Sequence, residues 1–266
     1  MQNDKNKKKT NLWKEGNRRF VNRIFFVLVF AFIYVFAFFN LALVEAAPQG
    51  PASISVDANE TKGSTSGILL NISGGRIATI NITADQQNPR WKGFVGQVIG
   101  TFTLDDSSSS TLYDWTMTNV GGEVYATRNA STPTWTNIRC ANNTLLENEN
   151  LLLNHSNAND NITKTFNGTT HVSFVVGSVT IPANNCSTLN TYKSNTTQDT
   201  DFEEMVLTDQ TNFSIPNYAN LIYATIMESN VVGFDDNTYD FQMIVPEIGL
   251  DGYTSATAYY LYVELS

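Results

Sequence analysis

Hydrophobic and polar residues alternate along most of the chain beyond residue 52. Short runs rich in Val, Ile, Thr, Tyr and Phe are broken by Gly, Asn, Asp and Ser, a pattern that predicts β-strands. The first three runs are ASISVDA, GILLNIS and RIATINITA, and Gly74-Gly75 between the last two predicts a hairpin. Gly121-Gly122, between TLYDWTMTN and GEVYATRN, predicts a second hairpin.

The later runs bring the total to about 11–12 strands. They are FVGQVIGTFTLDD, TWTNIRC, HVSFVVGSVTIPA, EEMVLTD, ANLIYATIMES, YDFQMIVPEI and TAYYLYVEL. The pattern predicts an all-β fold, an antiparallel β-sandwich of the Ig-like or jelly-roll-like kind, over residues 53–266. One sandwich and two smaller ones, split near residues 141–170, both agree with the spacing.

The alternation also assigns faces to individual strands. In the closing run one face holds Tyr259, Leu261, Val263 and Leu265, and the other holds Tyr260, Tyr262 and Glu264. The same alternation places Trp115 with Tyr113 and Met117, which favours a core position for this tryptophan.

The N-terminal region has a different pattern. Residues 1–23 are basic, and the next 21 residues, IFFVLVFAFIYVFAFFNLALV (24–44), carry no charge. About 20 apolar residues cross a bilayer as a helix, and the basic leader is retained in the cytoplasm. The sequence therefore predicts a transmembrane or signal helix over residues 24–46, a Pro-rich linker at 47–52 and an exported remainder.

Three fates of this segment fit the residues. Cleavage after Ala46 would follow a small-residue pattern that signal peptidases accept. An uncleaved anchor suits the long apolar run and long leader. A type IV pilin leader, cut at Gly16, would leave arginines at the head of the assembly helix, which is unfavourable.

The net charge of the exported part limits the classes of molecule that it can bind through electrostatic attraction. Beyond residue 47 the chain has 8 basic and 22 acidic side chains, a net charge of −14 over 219 residues. Such a domain does not attract nucleic acid or anionic lipid. Its polarity comes mainly from Asn, Thr and Ser, which suits a surface covered by sugar.

Asn-x-Ser/Thr sequons are frequent in the exported part, although a composition rich in Asn and Thr produces many by chance. Export makes them accessible to a glycosyltransferase, and those at 142–167 are the first expected to be occupied. The eleven are Asn59, Asn71, Asn81, Asn129, Asn142, Asn154, Asn161, Asn167, Asn185, Asn195 and Asn212.

The two cysteines, Cys140 and Cys186, predict one disulfide, because an even count in an oxidising compartment favours pairing. The bond would close a loop that contains the polar, Asn-rich tract 141–170. That tract is expected to be a long excursion tied at its base by the disulfide, with LLENENLLL as one short helix.

Several segments together resemble an uncharacterised family of exported archaeal surface proteins. They are RWKGFVGQVIGTFTLDD, LYDW, GEVYATR, the Trp135–Cys140 segment and the closing YDFQMIVPEI and YYLYVEL, within residues 70–266. The resemblance implies a surface location and a β-sandwich, and it supplies no catalytic residues.

Few residues suggest chemistry. Trp91, between Arg90 and Lys92, is the candidate for an exposed ring that stacks against a sugar. The run FDDNTYD offers oxygen ligands for Ca²⁺, although it lacks the full calcium-loop pattern; they are Asp235, Asp236, Asn237 and Asp240.

Enzyme signatures are missing from the sequence. It holds no G-x-S-x-G and no HExxH, and only His155 and His171 could serve as histidine bases. A carboxylate pair such as Glu203 or Glu204 with Asp235 is compatible with glycoside hydrolysis, but no feature points to it. Catalytic residues and cofactors other than Ca²⁺ are not expected.

These features predict a non-catalytic, glycosylated cell-surface protein on the extracellular side of the membrane, anchored or secreted. Its role would be structural or associative, in an envelope coat or filament, and ASISVDA is a candidate for strand exchange with a neighbouring copy. The alternatives are a carbohydrate-binding or adhesin module and, less favoured, a pilin-like subunit. The expected partners are the membrane through residues 24–44 and either further copies or surface glycans, not nucleic acid.

Overall fold

A computed structural model describes residues 47–155, 157, 159–209, 221–249 and 256–266. The predicted leader, the apolar helix and the sequon at Asn212 lie outside these residues. In the part of the chain that the structure describes, no helix is long and apolar enough to cross a bilayer.

Most of the regular structure in the described residues is β-strand, and every strand pairing among them is antiparallel, which confirms the predicted all-β class. The strands are β1 (Trp91–Gly96), β2 (Thr101–Asp105), β3 (Thr111–Thr116), β4 (Gly122–Thr127), β5 (Arg139–Cys140), β6 (Phe174–Val176), β7 (Val179–Ile181), β8 (Thr188–Lys193), β9 (Thr197–Thr208), β10 (Leu221–Ile226), β11 (Val231–Val232), β12 (Thr238–Tyr239), β13 (Phe241–Pro246) and β14 (Tyr260–Leu265). The helices within the described residues are α1 (Asn143–Leu152) and α2 (Ile162–Thr165), with a 3₁₀ turn at Trp135–Asn137.

One six-stranded sheet forms the centre, with the order β14-β4-β10-β9-β5, and β8 also pairs with β9. Strands from before and after the tract 141–170 therefore share this sheet. A division there into two separate sandwiches is not what the structure shows.

The central sheet is buried on both faces. Val124 and Tyr223 belong to a cluster that includes residues of α1, α2 and β13. Their strand neighbours Tyr125 and Ile222 point the other way, into a cluster with the 3₁₀ turn, β6 and β7. The faces predicted for β14 are confirmed, since Leu261 lies with the first cluster and Tyr262 with the second.

The Asn-rich tract contributes to the core instead of forming only a peripheral excursion. LLENENLLL forms α1 as predicted, and the side chain of Asn142 caps it by accepting a hydrogen bond from the Leu145 backbone N–H at 3.0 Å. Leu146, Ile162 and Phe166 are buried against the central sheet. The sparse apolar residues of this tract therefore anchor it.

The predicted disulfide is confirmed. Cys140 and Cys186 are bonded, and their Cα atoms lie 4.8 Å apart. The bond links the end of β5 to the segment that leads into β8, so it fixes both ends of the tract beside the central sheet.

The first three predicted strands are wrong for the chain as described. Residues 53–87, called the exposed arm, form no strand and are solvent-exposed throughout. Gly74 and Gly75 do form a turn, but no pairing joins the runs on either side of it. Alternation of hydrophobic and polar residues indicates that a segment can form a strand, but it does not indicate which strand edge the segment pairs with.

The hairpin predicted at Gly121-Gly122 is also wrong. β3 pairs with β2, while β4 pairs with β10 and β14. Gly122 has a φ of +116°, and a Cβ there would overlap the backbone oxygen of Glu264. This glycine permits close strand contact instead of turning the chain.

Candidate interaction site

The exposed arm carries an unusual load of apolar surface. Nine aliphatic side chains in it are between 48% and 100% exposed: Ile54, Val56, Ile68, Leu69, Leu70, Ile72, Ile77, Ile80 and Ile82. Single exposed aliphatic residues are ordinary, but contiguous apolar stretches mark surfaces that another molecule covers.

A second apolar surface lies on the antiparallel pair β2–β3, called the exposed ribbon. Phe102 pairs with Trp115 and Leu104 with Tyr113, so these four side chains share one face. They are 42–61% exposed, and the Tyr113 and Trp115 rings lie 4.9 Å apart. The expectation that Trp115 belongs to the core is therefore wrong.

A groove of about 460 Å³ lies between the pair β1–β13, called the covering ribbon, and β8. It is mainly apolar, and its lining includes Val95, Leu189, Tyr192, Phe234 and Ile244. Among the described strands, β1 pairs only with β13, so its other edge has no strand partner there. A groove beside an open strand edge can accept an extended segment.

Trp91 is not the exposed stacking residue that the sequence predicts. It is half-buried, its indole Nε1–H donates to the Asp160 carbonyl oxygen at 2.8 Å, and its ring contacts His155 edge-on at 5.6 Å. Arg90 lies 3.7 Å from the Asp160 carboxylate. These contacts, called the clasp, fasten β1 to the tract 141–170.

The two histidines have structural positions. His155 is buried with its Nε2 2.6 Å from the Glu247 carbonyl oxygen, and burial lowers its pKa. Nε2 of His171 accepts hydrogen bonds from the backbone N–H groups of Asn185 and Cys186, each at 3.0 Å. Both rings brace backbone turns.

The candidate carboxylates are also engaged. Glu203 Oε2 accepts from the Val172 N–H at 3.0 Å, and Glu204 is fully buried. Burial raises the pKa of Glu204 well above its ordinary value, which favours the neutral acid. Neither carboxylate has the setting of a solvent-accessible general base.

The calcium candidate is not assembled. Asp240 is buried, and its carboxylate accepts backbone hydrogen bonds from Val98 and Asn230, both at 2.8 Å. Asp235 is exposed and accepts from Asn237 and Tyr239 within its own turn. Asp236 adopts a φ of +68° in the same turn. Across the described ranges no three His, Cys, Asp or Glu residues lie close enough together to hold a metal ion.

The asparagines of ten of the eleven sequons are among the described residues. Eight of their asparagines are exposed: Asn59, Asn71, Asn81, Asn142, Asn154, Asn167, Asn185 and Asn195. Asn129 and Asn161 are partly buried, and the Oδ1 of Asn161 caps α2 by accepting from the Lys164 N–H at 2.8 Å. Capping uses the oxygen and leaves the amide nitrogen, the atom that carries a glycan.

Comparison with known proteins adds no family, since no family description, curated protein or solved structure matches the chain. The candidate interaction site therefore rests on the exposed arm, the exposed ribbon and the groove. The sequence pattern identified the strand-forming runs of the arm but placed them among the strands of the sandwich, with ASISVDA as a candidate for exchange with a neighbouring copy. The sequence holds no signal that separates them from the core, because residues 63–84 contain only Arg76 and the buried strand β10 (Leu221–Ile226) is equally free of charge.

Proposed function

We propose that this protein is a non-catalytic, glycosylated component of the cell surface that associates with further copies of itself in a coat or filament. The N-terminal apolar segment would export it and hold it at the membrane before any cleavage. This proposal includes the surface location that the resemblance to exported archaeal proteins implies. It also takes the central sheet and its covering ribbon as a variant of the sandwich predicted from the sequence.

The exposed arm is the observation that carries the proposal. Nine exposed aliphatic side chains within 29 residues, from Ile54 to Ile82, are a poor design for a chain that remains alone in water. A 35-residue segment without strands is uncommon in a compact domain, and functional binding loops are one of the classes in which such segments occur. An assembly would give these side chains a place to be buried.

The rest of the surface fits life outside the cell. The disulfide requires oxidising conditions to persist, and eight exposed sequon asparagines can receive sugar. Glycans would cover much of the remaining surface and would direct association towards faces without sugar and with little charge, such as the aliphatic faces of residues 63–84 in the arm.

Chemical cross-linking of native cells, followed by sedimentation of the full-length protein extracted in mild detergent, tests this proposal. We expect multimers of this chain alone, carrying sugar on several of the exposed sequons. Mass spectrometry of the same sample would report the N-terminus and thus decide between anchoring and cleavage. A monomer under both conditions would contradict the assembly role.

The exposed ribbon supports a second candidate function, recognition of a carbohydrate. Tyr113 and Trp115 present adjacent exposed rings on β3, and aromatic faces of this kind can stack against sugars. Saturable binding of the full-length protein on a glycan array, lost in Trp115→Ala and retained in Trp91→Phe, would favour this function. Uniform lack of binding would leave assembly as the role of the ribbon.

A further inference from the structure

We propose that residues 66–84 of one copy lie in the groove of a second copy, where residues 76–84 add a strand to the open edge of β1. This inference rests on the proposed self-association and names the surfaces that carry it. The occupant is a second copy of this chain.

The arm has two distinct faces when extended, because successive side chains alternate. Ile68, Leu70 and Ile72 lie on one face of the first run, while the sequon residue Asn71 lies on the other. In the second run, Ile80 and Ile82 likewise lie opposite the sequon residue Asn81. A glycan on either asparagine would therefore leave an aliphatic row free to be buried.

The receiving edge is available on β1. The backbone oxygens of Arg90 and Gly96 accept hydrogen bonds from the backbone N–H groups of the two residues that flank β13, Glu247 at 2.7 Å and Asp240 at 2.9 Å. In an antiparallel pair alternate residues bond to the same neighbour. The N–H and C=O groups of Gly93 therefore face the other edge, as do those of Val95.

The groove offers apolar contacts at that edge. Gly93 and Val95 of β1 line it with Leu189 of β8 and Ile244 of β13. Val95 is 40% exposed, so its side chain is available to a further strand. A strand along β1 would satisfy its open backbone groups and bury its own aliphatic row against these side chains.

Charge also favours contact between two copies here. All the side chains that line the groove are uncharged, and the arm has only Arg76 between residues 63 and 84. Because the exported part has a net charge of −14, most other faces of two copies repel each other. The arm and the groove can meet without that repulsion.

The arm of the same chain does not fill the groove. Only six residues separate Ala84 from Trp91, yet the arm is exposed throughout and contributes no residue to the groove lining. Its two ends are fixed, since Gln49 exchanges backbone hydrogen bonds with Val263 and Asn88 donates its side-chain amide to Asp160. A tethered arm that projects from its own domain is suited to reach another.

Cysteine cross-linking between two differently tagged full-length chains tests the inference. One chain carries Ile80→Cys and the other carries Val95→Cys, and both are produced together with the native disulfide intact. Both positions are exposed enough that the changes should leave the fold unaffected. The matched control replaces Ile80→Cys by Ile77→Cys, a fully exposed aliphatic position on the sequon-bearing face.

We expect a disulfide-linked heterodimer with Ile80→Cys and several-fold less with Ile77→Cys. Equal yields from both arm positions would overturn the proposed orientation. A single chain carrying both Ile80→Cys and Val95→Cys provides a second experiment. If it forms only the internal bond and the mixed chains form no heterodimer, the arm folds onto its own β1 and the inference is wrong.

The outcomes also separate this inference from the proposed function. Multimers detected by amine cross-linking, without any disulfide-linked heterodimer of the Ile80→Cys and Val95→Cys chains, would refute the arm-in-groove contact and retain self-association. Absence of multimers in both experiments would refute both.

Discussion

The backbone N–H of Ile244 donates a hydrogen bond to Oε2 of Glu204 at 2.8 Å, which fastens the covering ribbon to the central sheet. Glu204 is fully buried, and its Oε1 has no hydrogen-bond partner in the described part of the chain. The carboxyl group thus replaces a strand as the partner of this backbone group, and β13 can approach the sheet without pairing with it.

Replacing Glu204 by Gln should make stability less dependent on pH. Burial raises the pKa of Glu204 in the folded state, so the folded state binds its proton more tightly than the unfolded chain. Its contribution is complete below the ordinary carboxyl pKa of about 4.3 and is lost as pH rises towards the folded-state pKa. We therefore expect the difference in free energy of unfolding between Glu204→Gln and the native protein to shift in favour of the variant as the pH rises from acidic to neutral.

Denaturant unfolding between about pH 4 and 8 measures this difference. Glu147→Gln, on an exposed position of α1, is the matched control for the removal of one carboxyl group. A Glu204→Gln profile parallel to that of the native protein would show that this carboxyl group does not shift on folding.

Loss of the disulfide should reduce the free energy of unfolding substantially. The bond between Cys140 and Cys186 spans a sequence separation of 46 residues, for which the chain-entropy relation gives a ceiling of about 4 kcal/mol. The Cys140→Ser/Cys186→Ser double variant should unfold at lower denaturant concentration. Reductant should destabilise the native protein but leave this variant unaffected.

The clasp makes Trp91 a stability residue. Trp91→Phe removes the indole donor to Asp160 and should cost about 1 kcal/mol. Trp91→Ala also removes the ring packed against His155 and Phe166 and should cost about 3 kcal/mol. Denaturant unfolding measures both, and loss of sugar binding by Trp91→Ala at unchanged stability would instead restore the stacking role.

Gly122→Ala should be among the most damaging single changes. It combines a φ of +116° with overlap of the new methyl group and the Glu264 oxygen, and we expect a loss of about 3 kcal/mol or more. Gly75→Ala is the matched control, since Gly75 has a φ of +76° in open space and should lose only about 1 kcal/mol. Similar losses for both would mean that strand contact at Gly122 is unimportant.

The sequence predicts those parts of the fold whose signals are local. The faces of β14 and the presence of α1 within LLENENLLL could be predicted because both depend on the pattern of neighbouring residues. The disulfide could be predicted because only Cys140 and Cys186 were available. The strand partners could not be predicted, because pairing joins segments that are distant in the sequence. Gly121-Gly122 has the composition of a hairpin turn, although β4 pairs with β10 and β14 and not with β3.

In the candidate site, too, local strand signals could be predicted and long-range partners could not. The runs GILLNIS and RIATINITA are strand-forming by composition, and only the structure shows that no described edge of the same chain pairs with them. β8, with the polar sequence TLNTYK, lacked the expected alternation and was missed, and with it one wall of the groove. Trp115 was assigned to the core because alternation identifies a face and does not reveal what covers it.

Amide hydrogen exchange of residues 66–84 in the full-length protein, compared between assembled and dissociated samples, is the decisive test of arm-mediated assembly. We expect these amides to exchange quickly in the single chain and to become protected in the assembly. Equally fast exchange of the arm in both samples, with protection appearing elsewhere, would contradict it.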